Sequence, residues 1–189
     1  MNRKSASNVA TLAIFIATML IIEVLSQLVF SFLTLPIKPT ITHIPIIIAS
    51  VLYGPKVGAK LGLFMGIMSV IRNTIIISPL SYVFSPFVPH GNFYSLIIAI
   101  LPRVLIGITP YFVYKLLPNR IGLILSGLAG TLTNTFFVLL GIFIFFSNVY
   151  QGNIELLLAG IVSVNSIAEM LIASLLTFTI IPRIESLKK

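Results

Sequence analysis

The sequence predicts an all-α integral membrane protein, a bundle of about six transmembrane helices with both termini on the cytoplasmic side. Composition is the first observation behind this prediction. The chain of 189 residues is 58% hydrophobic and only 8% charged, and its mean hydropathy is +1.13. About a quarter of the residues of a soluble globular domain are charged, so composition excludes that class. The length leaves room for one domain, residues 1–189, of about six spans with short loops.

Apolar runs are the second observation, and turn-forming segments rich in proline, glycine and asparagine separate them. The approximate spans are residues 10–33, 44–53, 57–77, 93–117, 121–146 and 154–181. The first run is too long for the core of a signal peptide, so we interpret it as a retained helix. The second is too short to cross alone. It forms a half-span, or it joins the third through a tight turn at Gly54-Pro55, since proline fits the first turn of a helix.

The basic residues are the third observation, because they orient the spans. If the N-terminus is cytoplasmic, so are Arg3, Lys4, Lys56, Lys60, Lys115, Arg120, Arg183, Lys188 and Lys189. Of the loop residues only Lys38 then falls outside. The net charge of +8 therefore reflects topology in a lipid bilayer. These residues are scattered over several loops rather than gathered into a patch, so we expect no nucleic-acid partner.

Small residues recur at a spacing of four in two helices. In GPKVGAKLGLFMG they are Gly54, Gly58, Gly62 and Gly66, and in helix one they are Ala13 and Ala17. Because lipid is as apolar as leucine, helices in a bilayer associate by close packing, and such spacing forms a groove for another backbone. The glycine groove is expected to serve packing within the bundle.

Arg103 is the most unusual residue of the predicted spans. It lies in ILPRVLIG, about ten residues into its run, which at ~1.5 Å per residue places it ~15 Å deep. An arginine at the centre of a bilayer costs at least ~2.5 kcal/mol. Arg103 therefore needs an anion or several hydrogen-bond acceptors.

Other polar residues fall at middle to outer depth in different spans. They are Asn134, the pair Asn165 and Glu169 at positions i and i+4 of one helix, and Arg72 near the outer end of its helix. A small polar ligand needs a mainly apolar cavity with a few such donors and acceptors. We expect a substrate site here. The alternative is an Arg103–Glu169 ion pair with asparagines joining the helices.

Residues for catalysis are scarce. The chain has no aspartate or cysteine, only four acidic residues and two histidines. Paired-carboxylate catalysis, a metal site and thiol nucleophiles therefore lack their side chains, and a serine–histidine pair with His43 or His90 is the one remaining catalytic arrangement, which we do not expect. A phosphate-binding loop of the Walker type is also missing. We expect a protein that is not an enzyme and has no cofactor, so any ATP must be hydrolysed by another chain.

Several segments together resemble a known family. They are LPIKPTITHIPIIIASVLYGPKVGAKLGLFMGIMSVIR, SYVFSPF, LPRVLIG and GTLTNT, in this order. The chain is similar over nearly its whole length to the S component of an energy-coupling factor (ECF) vitamin transporter. The resemblance implies a six-helix protein of the cell membrane that captures a vitamin at its outer side. It also implies docking on a transmembrane coupling subunit with two cytoplasmic ATPases, through the small-residue face at Ala13 and Ala17.

The pattern resembles the pantothenate type most. Riboflavin-type members usually carry an Asp-containing stretch before helix two, whereas this chain reads ITHIP. Pantothenate has one carboxylate, an amide and two hydroxyls, which suit a buried arginine with asparagine partners. The resemblance implies Arg103 for the carboxylate, Asn134 for the amide or hydroxyls and Asn165 in support. Lys38 and His43 are expected in a lid over the site.

Two alternatives stay open. The chain is an S component for another vitamin such as riboflavin, or it is a self-sufficient secondary carrier. A carrier of that kind needs a protonatable group within the membrane, for which Glu169 is the candidate.

Overall fold

A computed structural model describes residues 3–32, 41–150 and 153–187, and every regular element in these ranges is a helix. The helices are α1 (Arg3–Phe32), α2 (Ile44–Tyr53), α3 (Pro55–Ile75), α4 (Ser81–Phe84), α5 (Phe93–Ile106), α6 (Thr109–Leu116), α7 (Arg120–Phe145), α8 (Ser147–Tyr150), α9 (Ile154–Ile161) and α10 (Val164–Leu187). The predicted all-α class is confirmed for this part of the chain, and helices occupy all the predicted apolar runs.

Within the described ranges, four stretches are long and apolar enough to cross a membrane. They are Val9–Val29, Phe93–Leu116, Arg120–Phe145 and Ile154–Leu187. α3 also has 21 residues, but it carries Lys56 and Lys60 near its start and Arg72 in its last turn. The number of six spans and the cytoplasmic position of the termini stay predictions.

Two of the predicted runs are interrupted. α5 ends at Ile106 and α6 begins at Thr109, because Pro110 in the first turn of α6 lacks an amide hydrogen and clashes with a preceding helical turn. α9 and α10 are separated at Val162 and Ser163. The hydroxyl of Ser163 accepts a hydrogen bond from the amide of Ser166, 3.2 Å away, and so begins α10.

The short helix α2 lies in the centre of the bundle. Its residues Ile44–Val51 are all buried, and they form a core with residues of α1, α3, α5, α7 and α10. A helix that is hydrophobic all round is a buried helix. α2 ends at Gly54, whose φ of +92° reverses the chain, and Pro55 opens α3 directly after it. The predicted turn at Gly54-Pro55 is confirmed.

The glycines of α3 bring α3 and α5 into close contact. A Cβ atom on Gly58 would collide with the carbonyl oxygen of Gly107, and one on Gly62 with the carbonyl oxygen of Arg103. At Gly66 it would lie 2.9 Å from the carbonyl oxygen of Ala99. The groove predicted from the glycine spacing therefore packs against α5 inside the bundle. Gly54 has open space around it and serves the turn instead.

α7 and α10 are joined in a similar way on the other side of the bundle. A Cβ on Gly127 would lie 2.6 Å from the Cα of Ser174. The hydroxyl of Thr177 donates a buried hydrogen bond of 2.8 Å to the carbonyl oxygen of Leu123. In an apolar environment without water, such hydrogen bonds between a hydroxyl group of one helix and a carbonyl group of another join the two helices.

The close contact of α3 with α5 can be tested by a substitution that adds one methyl group. Gly62→Ala should destabilise the protein by about 1–3 kcal/mol, because the added atom forces two backbones apart. The measurement is thermal unfolding in detergent. Leu63→Ala is the control, since Leu63 is exposed and its truncation should have a smaller effect. Equal stability of Gly62→Ala and the parent would contradict the close contact.

The topology can be tested with single cysteines in this cysteine-free chain. Six spans with cytoplasmic termini place exposed Phe87 and Asn153 outside, and exposed Leu116 and Ser186 inside. Cysteines at the first two positions should react with a membrane-impermeant reagent in intact cells, and those at the other two only after permeabilisation. Labelling of Leu116→Cys in intact cells would exclude this topology.

Candidate functional site

A cavity of about 570 Å³ lies between α1, α3, α4 and α5. Pockets for small molecules have volumes of about 300–1,000 Å³, so this one is large enough for a vitamin-sized ligand. Its apolar wall includes Met19, Phe64, Met65, Met68 and Phe84. Flexible methionine side chains adapt their shape to what they contact. The cavity therefore combines an adaptable apolar wall with the polar groups described next.

Arg103 lines this cavity from the last turn of α5. Its Nη1 donates a hydrogen bond of 2.8 Å to the carbonyl oxygen of Ile98, which lies earlier on the same helix. The guanidinium carbon lies 5.2 Å from the centre of the Phe84 ring, a distance suited to cation–π attraction. The Nε atom is buried and has no hydrogen-bond partner among the described residues. Arg103 thus keeps unused donors next to the cavity.

Arg103 does not form the ion pair with Glu169 that was the alternative from the sequence. In the described part of the chain, the one ion pair found between an arginine and a glutamate joins Arg72 of α3 to Glu23 of α1. Both of these residues line the same cavity as Arg103. The two predicted arginines are therefore brought to one site, together with a glutamate that the sequence analysis did not select.

Glu23 is held by donors from three segments. Its Oε1 accepts hydrogen bonds from Arg72 and from Gln27, the latter at 2.8 Å, and its Oε2 accepts one from the hydroxyl of Thr42 at 2.6 Å. Gln27 follows one turn later on α1, while Thr42 precedes α2. Glu23 thus links α1 to the start of α2 and the end of α3.

The rim between α3 and α4 is fixed by short side chains. Asn73 donates to the carbonyl oxygen of Ser69 at 2.8 Å and accepts from the hydroxyl of Ser81 at 3.2 Å. The hydroxyls of Thr74 and Ser85 lie 2.6 Å apart. These bonds hold α4, and with it the Phe84 ring, against the end of α3. The ring that contacts Arg103 is therefore positioned by the polar rim.

His43, predicted in a lid, is fully buried at the start of α2. Its Nε2 lies 3.0 Å from the hydroxyl oxygen of Thr131 on α7, which is buried as well. This side chain packs inside the bundle and does not line the cavity. The position of His43 differs from the predicted lid, because its ring is buried and joins α2 to α7. Lys38, the other predicted lid residue, lies outside the described residues.

Asn134, Asn165 and Glu169 lie on α7 and α10 and do not line the cavity. The Nδ2 of Asn165 lies 3.3 Å from Oε1 of Glu169, as their i, i+4 spacing predicts. The Oδ1 atoms of both asparagines are buried and have no hydrogen-bond partner among the described residues. A second polar region therefore exists between α7 and α10, separate from the two arginines.

Ala13 and Ala17 are exposed on α1. The neighbouring Leu12, Phe15, Ile16 and Met19 face the core instead. The small-residue pair is thus on the outer side of α1, where it is available to lipid or to another helix.

Sequence reasoning missed Glu23, Gln27 and Thr42. A signal was present, because Glu23 is the one acidic residue of the first apolar run and Gln27 follows at i+4. An intramembrane carboxylate usually has a partner, and Arg72 is the arginine at the end of a neighbouring span. Which arginine it meets depends on the packing of α1, which the sequence does not show.

The chemistry of the cavity is that of binding. Within the described ranges, no group of three or more histidine, aspartate or glutamate side chains could hold a metal ion. The arginines and the glutamate can orient an anionic ligand by charge-assisted hydrogen bonds. An all-helical bundle with apolar spans, and with a mainly apolar cavity that holds a few charged and polar groups, is typical of a membrane protein that binds a small polar molecule.

Comparison with known proteins gives the family. Residues 7–181 match the model of the family described as "ECF transporter, substrate-specific component". The chain is 46% identical over 187 residues to the pantothenic acid transporter PanT of Lactococcus lactis subsp. cremoris (strain MG1363). This alignment covers 96% of the chain and 95% of the relative. The chain belongs to the family of ECF substrate-specific components, which are transport proteins rather than enzymes, and the predicted resemblance is confirmed.

Proposed function

We propose that this chain captures pantothenate at the outer side of the cell membrane and delivers it inward as part of an ATP-driven ECF importer. The relative that is 46% identical over nearly the whole length is a pantothenic acid transporter, which supports the choice of vitamin. The observation that carries the proposal is the position of Arg103 at a cavity of about 570 Å³. The cavity accommodates a molecule of this size.

Arg103 binds the carboxylate of pantothenate. Its Nη1 bond to Ile98 and its contact with Phe84 point the guanidinium toward the cavity and leave other donors for the ligand. A guanidinium and a carboxylate form a bidentate pair, which adds orientation to the charge attraction. The apolar wall then contacts the aliphatic part of the vitamin.

The amide and hydroxyls of pantothenate need polar partners as well. Ser69, Asn73 and Ser78 line the same cavity as Arg103 and supply hydroxyl and amide groups. Asn134 and Asn165, with their unpartnered Oδ1 atoms, stay candidates for any part of the ligand that reaches between α7 and α10. Glu169 orients Asn165 through the 3.3 Å hydrogen bond.

Arg103→Gln tests the carboxylate site. The variant should bind pantothenate about ten- to a hundredfold more weakly, because a hydrogen bond to a charged group contributes roughly 1.5–3 kcal/mol. It should bind pantothenol, the neutral alcohol analogue, about as well as the parent. Both affinities can be measured by calorimetry on the purified protein.

Arg183→Gln is the matched control, since Arg183 is exposed near the end of α10 and far along the chain from the cavity. It should change neither affinity. Thermal unfolding of Arg103→Gln should stay close to that of the parent, because Glu169 does not depend on Arg103. Equal weakening of pantothenate and pantothenol would refute the assignment of Arg103 to the carboxylate.

Transport requires partners, and α1 offers the surface for one. The exposed face of Ala13 and Ala17 docks on a transmembrane coupling subunit that is driven by two cytoplasmic ATPase subunits. Small residues four apart let the backbone of a partner helix approach closely. Neither alanine lines the cavity, whose lining on α1 begins at Met19. Docking and ligand binding therefore use successive turns of α1.

The double variant Ala13→Trp, Ala17→Trp should abolish uptake by the complete transporter but keep pantothenate binding, because bulky side chains block only the backbone approach. The matched control is Leu171→Trp with Leu175→Trp, two residues of α10 at the same spacing that are each 62% exposed. The control should support normal uptake. Loss of binding together with uptake in the alanine variant would show that the pair serves packing within the chain.

A further inference from the structure

The charged side chains in the described lining of the cavity do not balance. Among the described residues, its lining includes two cationic side chains, Arg72 and Arg103, and one anionic side chain, Glu23. Glu23 and Arg72 form an ion pair with each other. Arg103 has no carboxylate partner among the described residues; its contacts are a carbonyl oxygen and an aromatic ring. The described lining therefore has one positive charge in excess.

Glu23 has little capacity left for a ligand. Its two oxygens accept hydrogen bonds from Arg72, Gln27 and Thr42, which come from α1, α3 and the start of α2. The Glu23 side chain is 26% exposed and that of Arg72 is 49% exposed, so the pair lies at the edge of the cavity rather than deep in the core. Three donors therefore occupy the carboxylate of Glu23.

We infer that Glu23 determines substrate specificity by occupying Arg72, so that the site accepts a monoanion and rejects ligands of higher charge. This inference rests on the proposed function and deepens it, because it names the charge class of the ligand. Arg72 is then a positioning residue for α1 and a source of charge, and Arg103 alone binds the ligand carboxylate.

The physical reason is the cost of an unbalanced charge in a partly desolvated site. One carboxylate neutralises the excess charge of the lining, while a second negative group finds no unpaired cation and approaches Glu23. Specificity of this kind comes from repulsion of the wrong ligand as well as attraction of the right one. The phosphate monoester of pantothenate is a suitable wrong ligand, because phosphorylation adds about 1.5 to 2 negative charges at neutral pH.

The test is a charge-exchange cycle with Glu23→Gln, Arg72→Gln and the double variant. Each protein is titrated with pantothenate, its phosphate monoester and neutral pantothenol. Glutamine has the size of glutamate and can still make a hydrogen bond, so Glu23→Gln changes mainly the charge. Arg72→Gln also shortens the side chain, but Arg72→Gln and the double variant share that change and differ only in the charge at position 23. For each preparation, we compare the ratio of the affinities for the phosphate monoester and pantothenate, and the ratio for pantothenate and pantothenol. These ratios do not depend on the fraction of folded protein.

Glu23→Gln should raise the affinity for the phosphate monoester relative to pantothenate by about tenfold or more, because it frees a second cation at short distance. Arg72→Gln should lower the affinity for pantothenate relative to pantothenol by a similar factor. In the double variant the excess of one positive charge is restored, so both ratios should return toward the parental values. Glu155→Gln, an exposed glutamate at the start of α9, is the matched control and should change no ratio.

Two results would overturn this inference alone. In the first, the parent binds pantothenate, but Glu23→Gln does not change the affinity for the phosphate monoester relative to pantothenate. In the second, the double variant has the same lowered affinity for pantothenate relative to pantothenol as Arg72→Gln. That result would mean that Arg72 binds the ligand directly. A parent that binds no pantothenate would overturn the proposed function itself, and with it the charge class inferred here.

Discussion

The close contact of α3 with α5 is the constraint on which the site depends. Gly58 and Gly62 leave no room for a side chain between the two backbones, and the carbonyl oxygen of Arg103 itself lies against Gly62. Backbone contact therefore fixes the position of α3, which carries Arg72, relative to α5, which carries Arg103. In lipid, where apolar burial does not drive association, such backbone proximity is a main source of helix packing.

The wall formed by α1 is held differently. α1 contacts α2 and α3, and its apolar span is mostly exposed. At the cavity its position is set by polar bonds from Glu23 to Arg72 and Thr42. Partly exposed ion pairs contribute little to stability, so these bonds orient α1 more than they stabilise it. The bundle thus joins a rigid α3–α5 pair to a helix with few contacts, and the cavity lies between them.

Local patterns predicted the helices, the Gly54-Pro55 turn and the internal role of the α3 glycines, because each of these depends on residues close in sequence. The break at Pro110 was missed because the run of residues 93–117 is apolar enough on average to read as one span. The site was predicted in part. Arg103 and Arg72 meet at one cavity, whereas Asn134, Asn165 and Glu169 lie on α7 and α10 and do not line it. Depth in the membrane does not determine which face of a helix a side chain occupies. Glu23 was missed because only the packing of α1 selects its partner.

Arg103 connects the composition of the chain to its proposed role. Of the four acidic residues, Glu23 is bound to Arg72, Glu169 lies beside Asn165, and Glu155 and Glu185 are exposed on α9 and α10. None of them neutralises Arg103, whose charge is eased only by the carbonyl of Ile98 and the ring of Phe84. A buried cation without a counter-ion is costly, so a carboxylate ligand both makes favourable bonds and removes that cost. In the proposed site, an acidic residue beside Arg103 would occupy the position that the ligand needs, so the absence of a carboxylate partner for Arg103 among the described residues agrees with the proposed role.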